Sequence, residues 1–274
     1  GVLIILVVSA IFLWSFGIFN IKINFWELFA LMFTFISFGV LGLYDDAKKL
    51  VDPGNKSAFF GLRFRYKFVV QWILALVPAI ILYKQLGYSF LFITGIGLID
   101  IGFLYIPFAA FVIVSFANAF NIADGLDGLA SGLLLICLAA FLAITSNQLD
   151  QPLGIFIAVL MGSVGAFLYF NIYKARIWLG DVGALSLGAV LAVIGLLTGK
   201  IIALAFIGGV FVIEIASSLI QILAKQFFHK KVFLASPFHL FLRRIGWDEP
   251  KIVMRAWLLG FLFAILGLYI AFIN

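Results

Sequence analysis

NAFNIADGLDGLASGLLLICLAAFLAITS, running from Asn118 to Ser146, carries the two features that decide the fold. Its first part sets Asn118, Asn121, Asp124 and Asp127 close together; the part that follows, 128–146, holds no charge at all. About 20 mostly apolar residues, each rising about 1.5 Å, cross about 30 Å of hydrocarbon, so 128–146 reads as a transmembrane helix with a polar cluster at its mouth. Eight more stretches have the same character: 1–20, 25–44, 67–83, 101–117, 153–171, 183–198, 201–224 and 253–273. The run from Tyr88 to Ile99 is too short and too Gly-rich to cross. It reads as an interfacial or re-entrant piece on the side opposite the long loops.

Composition agrees. Of 274 residues 65% are apolar and 11% are charged, and the mean hydropathy is +1.25. A soluble domain would carry about a quarter charged residues, which excludes a soluble enzyme. A disordered or nucleic-acid-binding chain is excluded too, despite the net charge of +6. A transmembrane barrel would alternate apolar and polar positions over about ten residues, whereas these runs are continuous. The expected class is therefore all-α, a polytopic transmembrane helical bundle forming one membrane domain over 1–274. The single cysteine, Cys137, lies inside an apolar run, so no intramolecular disulfide can form.

Alternating nine spans puts the loops 45–66, 118–127 and 171–182 and the segment 225–252 on one face. Only Lys22, Lys84 and Lys200 fall on the other side, leaving 15 of the 18 basic residues with the long loops. By the positive-inside rule that face is cytoplasmic, and the C-terminus lies outside. The same face collects eight of the twelve carboxylates, among them Asp45, Asp46, Asp124, Asp127 and Asp181. Asn55-Lys56-Ser57 matches a glycosylation sequon, which a cytoplasmic loop leaves idle.

Each acidic motif has a plain structural reading beside a chemical one. Asp45-Asp46 ends an apolar run and could be a charged helix terminus, or a pair that orients a basic group or approaches a divalent cation. Asp124 could cap the next span. Capping leaves Asn118, Asn121 and Asp127 unexplained, and Gly125 and Gly128 open the backbone to a ligand. Asp181, in Trp178-Leu-Gly180-Asp181-Val-Gly183, is either an N-cap or a ligand for Mg²⁺, which favours one or two carboxylates completed by phosphate oxygens and water. Trp178 is either an interfacial anchor or a stacking face. His229, beside Lys230 and Lys231, reads as a surface residue. Glu214 lies within a span and should have a partner, which the sequence does not name.

Carboxylates, ammonium groups and an aromatic face at a membrane boundary suit the joining of a water-soluble, phosphate-bearing substrate to a lipid-borne one. The motifs Asp45-Asp46-x-x-Lys49, Gly61-Leu62 through Lys67, Asn118-x-x-Asn121-x-x-Asp124-Gly-Leu-Asp127-Gly-Leu-Ala, Gly180-Asp181-x-Gly183 and Pro237-x-His239 occur in this order. In that order the chain resembles the polyprenyl-phosphate N-acetylhexosamine-1-phosphate transferases. Within the superfamily it is most similar to the members that take a muramoyl-pentapeptide donor. Gly208-Gly-Val-Phe-Val-Ile-Glu214 and Gly246-Trp247-x-Glu249-Pro250-x-x-Val253-x-Arg255-x-Trp257 resemble their C-terminal signature.

The resemblance implies Mg²⁺-dependent transfer of phospho-N-acetylmuramoyl-pentapeptide from UDP-MurNAc-pentapeptide to undecaprenyl phosphate at a bacterial inner membrane, giving lipid I and UMP. It implies Asp181 as the magnesium ligand and Trp178 as a uracil-stacking aromatic. Asn118, Asn121, Asp124 and Asp127 would line the nucleotide site, and Asp45, Asp46 and Lys49 would handle the phosphates. Lys67 or Arg65 would be a further phosphate-facing cation, and His239 a catalytic group. Whether an Asp acts as a base or the lipid phosphate attacks unaided stays open, as does assembly as a homodimer. Two features depart from the family. His239-Leu240-Phe241 stands where three consecutive histidines are usual, and nine spans stand where the family fold has ten, which places the first span upstream of Gly1. A sibling transferase using another UDP-N-acetylhexosamine, and a non-catalytic lipid-phosphate carrier, are the competing functions.

Overall fold

The computed structural model describes residues 1–19, 24–51, 64–93, 95 and 97–273, with the side chains at 16–19, 50, 51 and 64 outside the description. Lys22, Asp52, the sequon, Gly61-Leu62 and Arg63 therefore lie outside the described residues. The chain forms helices α1 (Val2–Phe19), α2 (Phe25–Val51) and α3 (Phe64–Lys84), then a hairpin β1 (Phe90–Ile93) and β2 (Gly97–Asp100). After it come α4 (Tyr105–Ala123), α5 (Leu129–Gln148), α6 (Gln151–Asn171), α7 (Gly180–Leu197), α8 (Ile201–Ile207), α9 (Gly209–Phe228), α10 (Phe238–Arg244) and α11 (Glu249–Phe272). Eight of these helices are long and apolar enough to cross a membrane, and the shorter α1 supplies the ninth expected stretch. The protein is an all-α integral membrane bundle.

Two expectations need refinement. The stretch 201–224 is not one helix. It breaks at Gly208, where α8 stops and α9 begins. Both Gly208 and Gly209 favour the break, since glycine is the weakest helix former after proline. The run at 88–99 is an antiparallel hairpin pairing Phe90 with Asp100 and Ile93 with Gly97. It stands at the end opposite the long loops, where Lys200 lies 4.5 Å from the centre of the Phe92 ring. Asp100 ends β2 and accepts the Gly102 amide at 2.8 Å, as befits a boundary residue.

α7 is the axis of the bundle. Every residue from Val182 to Leu197 is buried, so this helix is apolar all round and must be enclosed by its neighbours. α2 and α4 pack against it. Its small residues allow this, because apolar surface has no hydrophobic drive toward apolar surface in lipid and close backbone approach supplies the attraction instead. A Cβ on Gly42 of α2 would collide with the Asp181 carbonyl. α2 therefore crosses α7 in direct backbone contact, just where α2 delivers Asp45 and Asp46.

Candidate active site

Three chain segments meet at the same place. The last turns of α2 bring Asp45, Asp46 and Lys49, the first turn of α3 brings Lys67, and the first turn of α7 brings Asp181. Lys49 Nζ lies 3.1 Å from Asp45, 3.3 Å from Asp46 and 2.7 Å from Asp181. Lys67 Nζ lies 3.2 Å from Asp45 and 2.7 Å from the same Asp181 oxygen, Oδ2. Three carboxylates share two ammonium groups, so the knot is one charge short of neutral and is predisposed to cations.

The local backbone explains the convergence. Asp181 is not the N-cap of α7; that position is Leu179 and has no side-chain cap. Instead Asp46 reaches across from α2, its Oδ2 accepting the Val182 amide at 3.3 Å. A carboxylate at a helix N-terminus satisfies an orphan donor and faces the positive end of the helix dipole. Gly180 sits at φ +65°, and a Cβ there would lie 2.7 Å from Asp46 Oδ2. Only glycine accommodates both the left-handed turn and the carboxylate against it.

Asp124 does not cap α5, whose N-cap is Gly128. It terminates α4, its amide donating to the Phe120 carbonyl at 2.9 Å. Burial, and then the negative charge of Asp181, push its carboxyl up to about 7. Asp124 thus belongs electrically to the same knot.

Asp127 and Asn118 have other occupations. Asp127 Oδ2 accepts the Ala175 amide at 2.9 Å and its own amide donates to Glu249 Oε1 at 2.8 Å. Beside it, Asn171 Oδ1 accepts from the Gly128 amide and the Ser131 hydroxyl, while its Nδ2 donates to the Ile177 carbonyl. Trp257 Nε1 closes the set on the Gly128 carbonyl at 3.2 Å. This network ties the loops after α4 and α6 to the start of α11, and thereby carries Trp178 and Asp181. Asn118 is paired with Gln71 of α3, its Nδ2 donating to Gln71 Oε1 at 2.6 Å. Asn121 is half-buried one turn nearer the loop.

Two expected residues stand apart. Arg65 is exposed, and two residues of helix turn it about 200° from Lys67, away from the knot. Trp178 is 69% exposed. It edges a groove of about 400 Å³ lined also by Leu3, Val7, Phe167 and Phe170.

His239 is buried, and its environment supplies what the sequence withheld about Glu214. Glu214 Oε2 lies 3.0 Å from His239 Nδ1, and both carboxylate oxygens accept the His239 amide at 3.2 and 3.4 Å. The other ring nitrogen faces the Asp124–Asp127 turn: a Cβ on Gly125 would lie 2.9 Å from Nε2. Gln221 holds the preceding loop, accepting the Val232 and Phe233 amides at 3.0 Å. His229 is an exposed helix end, as expected. Glu214, Gln71, Asn171 and Gln221 make bonds that no sequence motif announces. The one available signal was their polarity within or at the end of apolar spans.

Among the described residues no group of three or more His, Cys, Asp or Glu side chains could hold a metal unaided. The oxygen-only donors at Asp181, Asp45 and Asp46 suit a hard cation whose shell is completed by phosphate and water.

Residues 28–199 match the family described as Glycosyl transferase family 4. With the bundle and its polar knot, this defines an integral membrane glycosyl-phosphate transferase. The chain is 39% identical over 246 residues to the phospho-N-acetylmuramoyl-pentapeptide-transferase of Geobacillus sp. (strain WCH70), covering 89% of this chain and 74% of that protein. It is 37% identical over 272 residues to the enzyme of that name in Geobacillus thermodenitrificans, covering 98% and 82%. To the one in Borrelia hermsii it is 36% identical over 268 residues, covering 90% and 75%. The chain belongs to the phospho-N-acetylmuramoyl-pentapeptide-transferase family.

Proposed function

We propose that the protein transfers phospho-N-acetylmuramoyl-pentapeptide from UDP-MurNAc-pentapeptide to undecaprenyl phosphate, releasing UMP and forming lipid I, on the cytoplasmic face of a bacterial inner membrane. The observation that carries this reading is the meeting of Lys49 and Lys67 on Asp181 Oδ2. Two ammonium groups held by carboxylates from α2 and α7 are placed to exchange those partners for a diphosphate. A terminal oxygen of the lipid phosphate attacks the sugar-bearing phosphorus, a new P–O–P bond forms, and the bond to the UMP oxygen breaks. Lys49 and Lys67 hold the phosphate oxygens in line, and positive charge fixed beforehand where negative charge accumulates stabilises the transition state. Mg²⁺, when bound, adds positive charge at the diphosphate, with Asp181 as its proposed ligand. Trp178 would offer its exposed indole to uracil. His239, oriented by Glu214, would face the donor side through Nε2, and the excess of Lys and Arg at this end supports the cytoplasmic assignment.

The test is UMP release from UDP-MurNAc-pentapeptide by the folded protein in detergent with undecaprenyl phosphate and Mg²⁺. Release is expected. Turnover of UDP-GlcNAc with no turnover of the muramoyl donor overturns the donor assignment.

A further inference from the structure

We propose that Gln71 and Asn118 form an interhelical clip that fixes the rotation of α3 and so holds the Lys67 ammonium between Asp45 and Asp181. Asn118 Nδ2 donates to Gln71 Oε1 at 2.6 Å and to the Val114 carbonyl at 2.8 Å, which uses both of its N–H groups. Gln71 is wholly buried, and its Nε2 stands 3.5 Å from Asn118 Oδ1. Asn118 is thus a positioning residue, with its donors committed to protein rather than to nucleotide.

The need for such a clip follows from what surrounds α3. Phe68, Val69, Val70, Ile73, Leu76 and Ile80 are all exposed on this helix. In a bilayer they meet lipid tails as apolar as themselves, and apolar contact with lipid sets no preferred rotation. The opposite face sets it, where buried Ala75, Ala79 and Leu82 meet the helices α2 and α4 that pack on α3 and the Gln71–Asn118 pair adds a directional polar contact. Gln71 lies four residues after Lys67, hence on the same face one turn away. A rotation of about 20°, at about 6 Å from the axis, would move a side chain about 2 Å, enough to break a 2.7 Å contact between Lys67 and Asp181. The amide pair opposes that rotation.

Its effect on turnover rests on the phosphate-handling role given to Lys67; its effect on the position of Lys67 does not. The experiment therefore reads both. In detergent-solubilised full chain, Gln71→Leu, Asn118→Leu and the exchanged pair Gln71→Asn/Asn118→Gln are compared for kcat, for KM of the muramoyl donor, and for acylation of Lys67 by an amine-reactive reagent. Lys49 is the internal reference. Each single variant is expected to raise Lys67 labelling relative to Lys49 about threefold or more and to lower kcat about tenfold, with KM within about twofold. The exchanged pair should return both toward the parent. Unchanged Lys67 labelling in a folded single variant, an equal rise at both lysines, or a loss confined to KM overturns the clip. If neither single variant folds, the exchanged pair decides alone: parental Lys67 protection supports the clip and its loss refutes it. Labelling that rises with no change in turnover upholds the clip and removes Lys67 from the proposed chemistry.

Discussion

Substituting Asp181→Asn separates the structural from the chemical work of the knot. Asp181 Oδ2 receives Lys49 and Lys67, each at 2.7 Å, and the change to a neutral amide keeps shape and one acceptor oxygen. A hydrogen bond to a charged group contributes about 1.5–3 kcal/mol against about 0.5–1.5 for a neutral one, so two such bonds weaken by roughly 2–3 kcal/mol together. Two features reduce this. Lys49 is one-third exposed, so solvent screens its share, and both lysines keep Asp45, at 3.1 and 3.2 Å. The stability cost should therefore be about 1–2 kcal/mol, seen as a modestly lower thermal midpoint in detergent. Turnover should suffer more. Loss of the group that brings cation and diphosphate together should lower kcat about a thousandfold, which is about 4 kcal/mol of barrier. UMP release is measured well below the variant's midpoint, so that unfolding does not enter. A folded Asp181→Asn protein that releases UMP within tenfold of the parent rate would refute the placing of the reaction at this carboxylate.

Trp178→Ala should weaken UMP binding by about tenfold, since base stacking on an aromatic is worth about 1–3 kcal/mol, and should leave lipid affinity alone; equal UMP affinity in the two proteins ends the stacking role. Glu214→Gln keeps the size of the side chain but cannot accept from both the His239 amide and Nδ1 as a carboxylate does. Turnover should fall about 10- to 100-fold with donor KM little altered, and parental kcat would show that His239 needs no such orientation. The Asp124 carboxyl, raised from 3.8 to about 7, makes folding bind a proton, so its contribution to stability is full below about pH 4 and is lost as pH rises through about 7. Thermal midpoints measured from pH 5 to 8 should fall along that limb in the parent and lose this component in Asp124→Asn; identical slopes in the two refute the shift.

The spans were legible because a bilayer leaves few options: with no water to serve the backbone, long apolar runs must be helices, and their lengths and loops can be counted. The break at Gly208 was hidden because a membrane tolerates helix interruption wherever neighbouring helices serve the freed groups, so glycine there is a weak signal. The hairpin at 88–99 was hidden for another reason. Its eight paired residues, FLFI and GLID, alternate nothing, and a short apolar run has the same composition as strand or helix.

The site divides along similar lines. Asp45, Asp46, Lys49, Lys67 and Asp181 are gathered in sequence by the ordered motifs that carry the family resemblance, and their pairing fits the need of charge at a membrane boundary for charge of the other sign. The motif Asp124-Gly-Leu-Asp127 shows where that logic stops. Its two acids differ by three positions and read as equivalent, yet Asp124 terminates a helix and feels Asp181, while Asp127 spends its carboxylate on the Ala175 amide. Nothing in residue type separates a carboxyl that ends a helix beside Asp181 from one that accepts a loop amide. The separation is made by which partners reach each acid: the Ala175 amide that donates to Asp127 and the Glu249 carboxylate that accepts its amide come from segments about 50 and 120 residues away in the chain, a distance over which local patterns carry no information. The same holds for Asn118. As the first letter of an Asn-x-x-Asn-x-x-Asp pattern it is expected at the nucleotide site, and its amide nitrogen donates to the buried Gln71 of α3, a partner the pattern does not name. A motif identifies which polar residues must be present, whereas the bond each makes decides whether it reacts, holds a ligand or holds another residue in place.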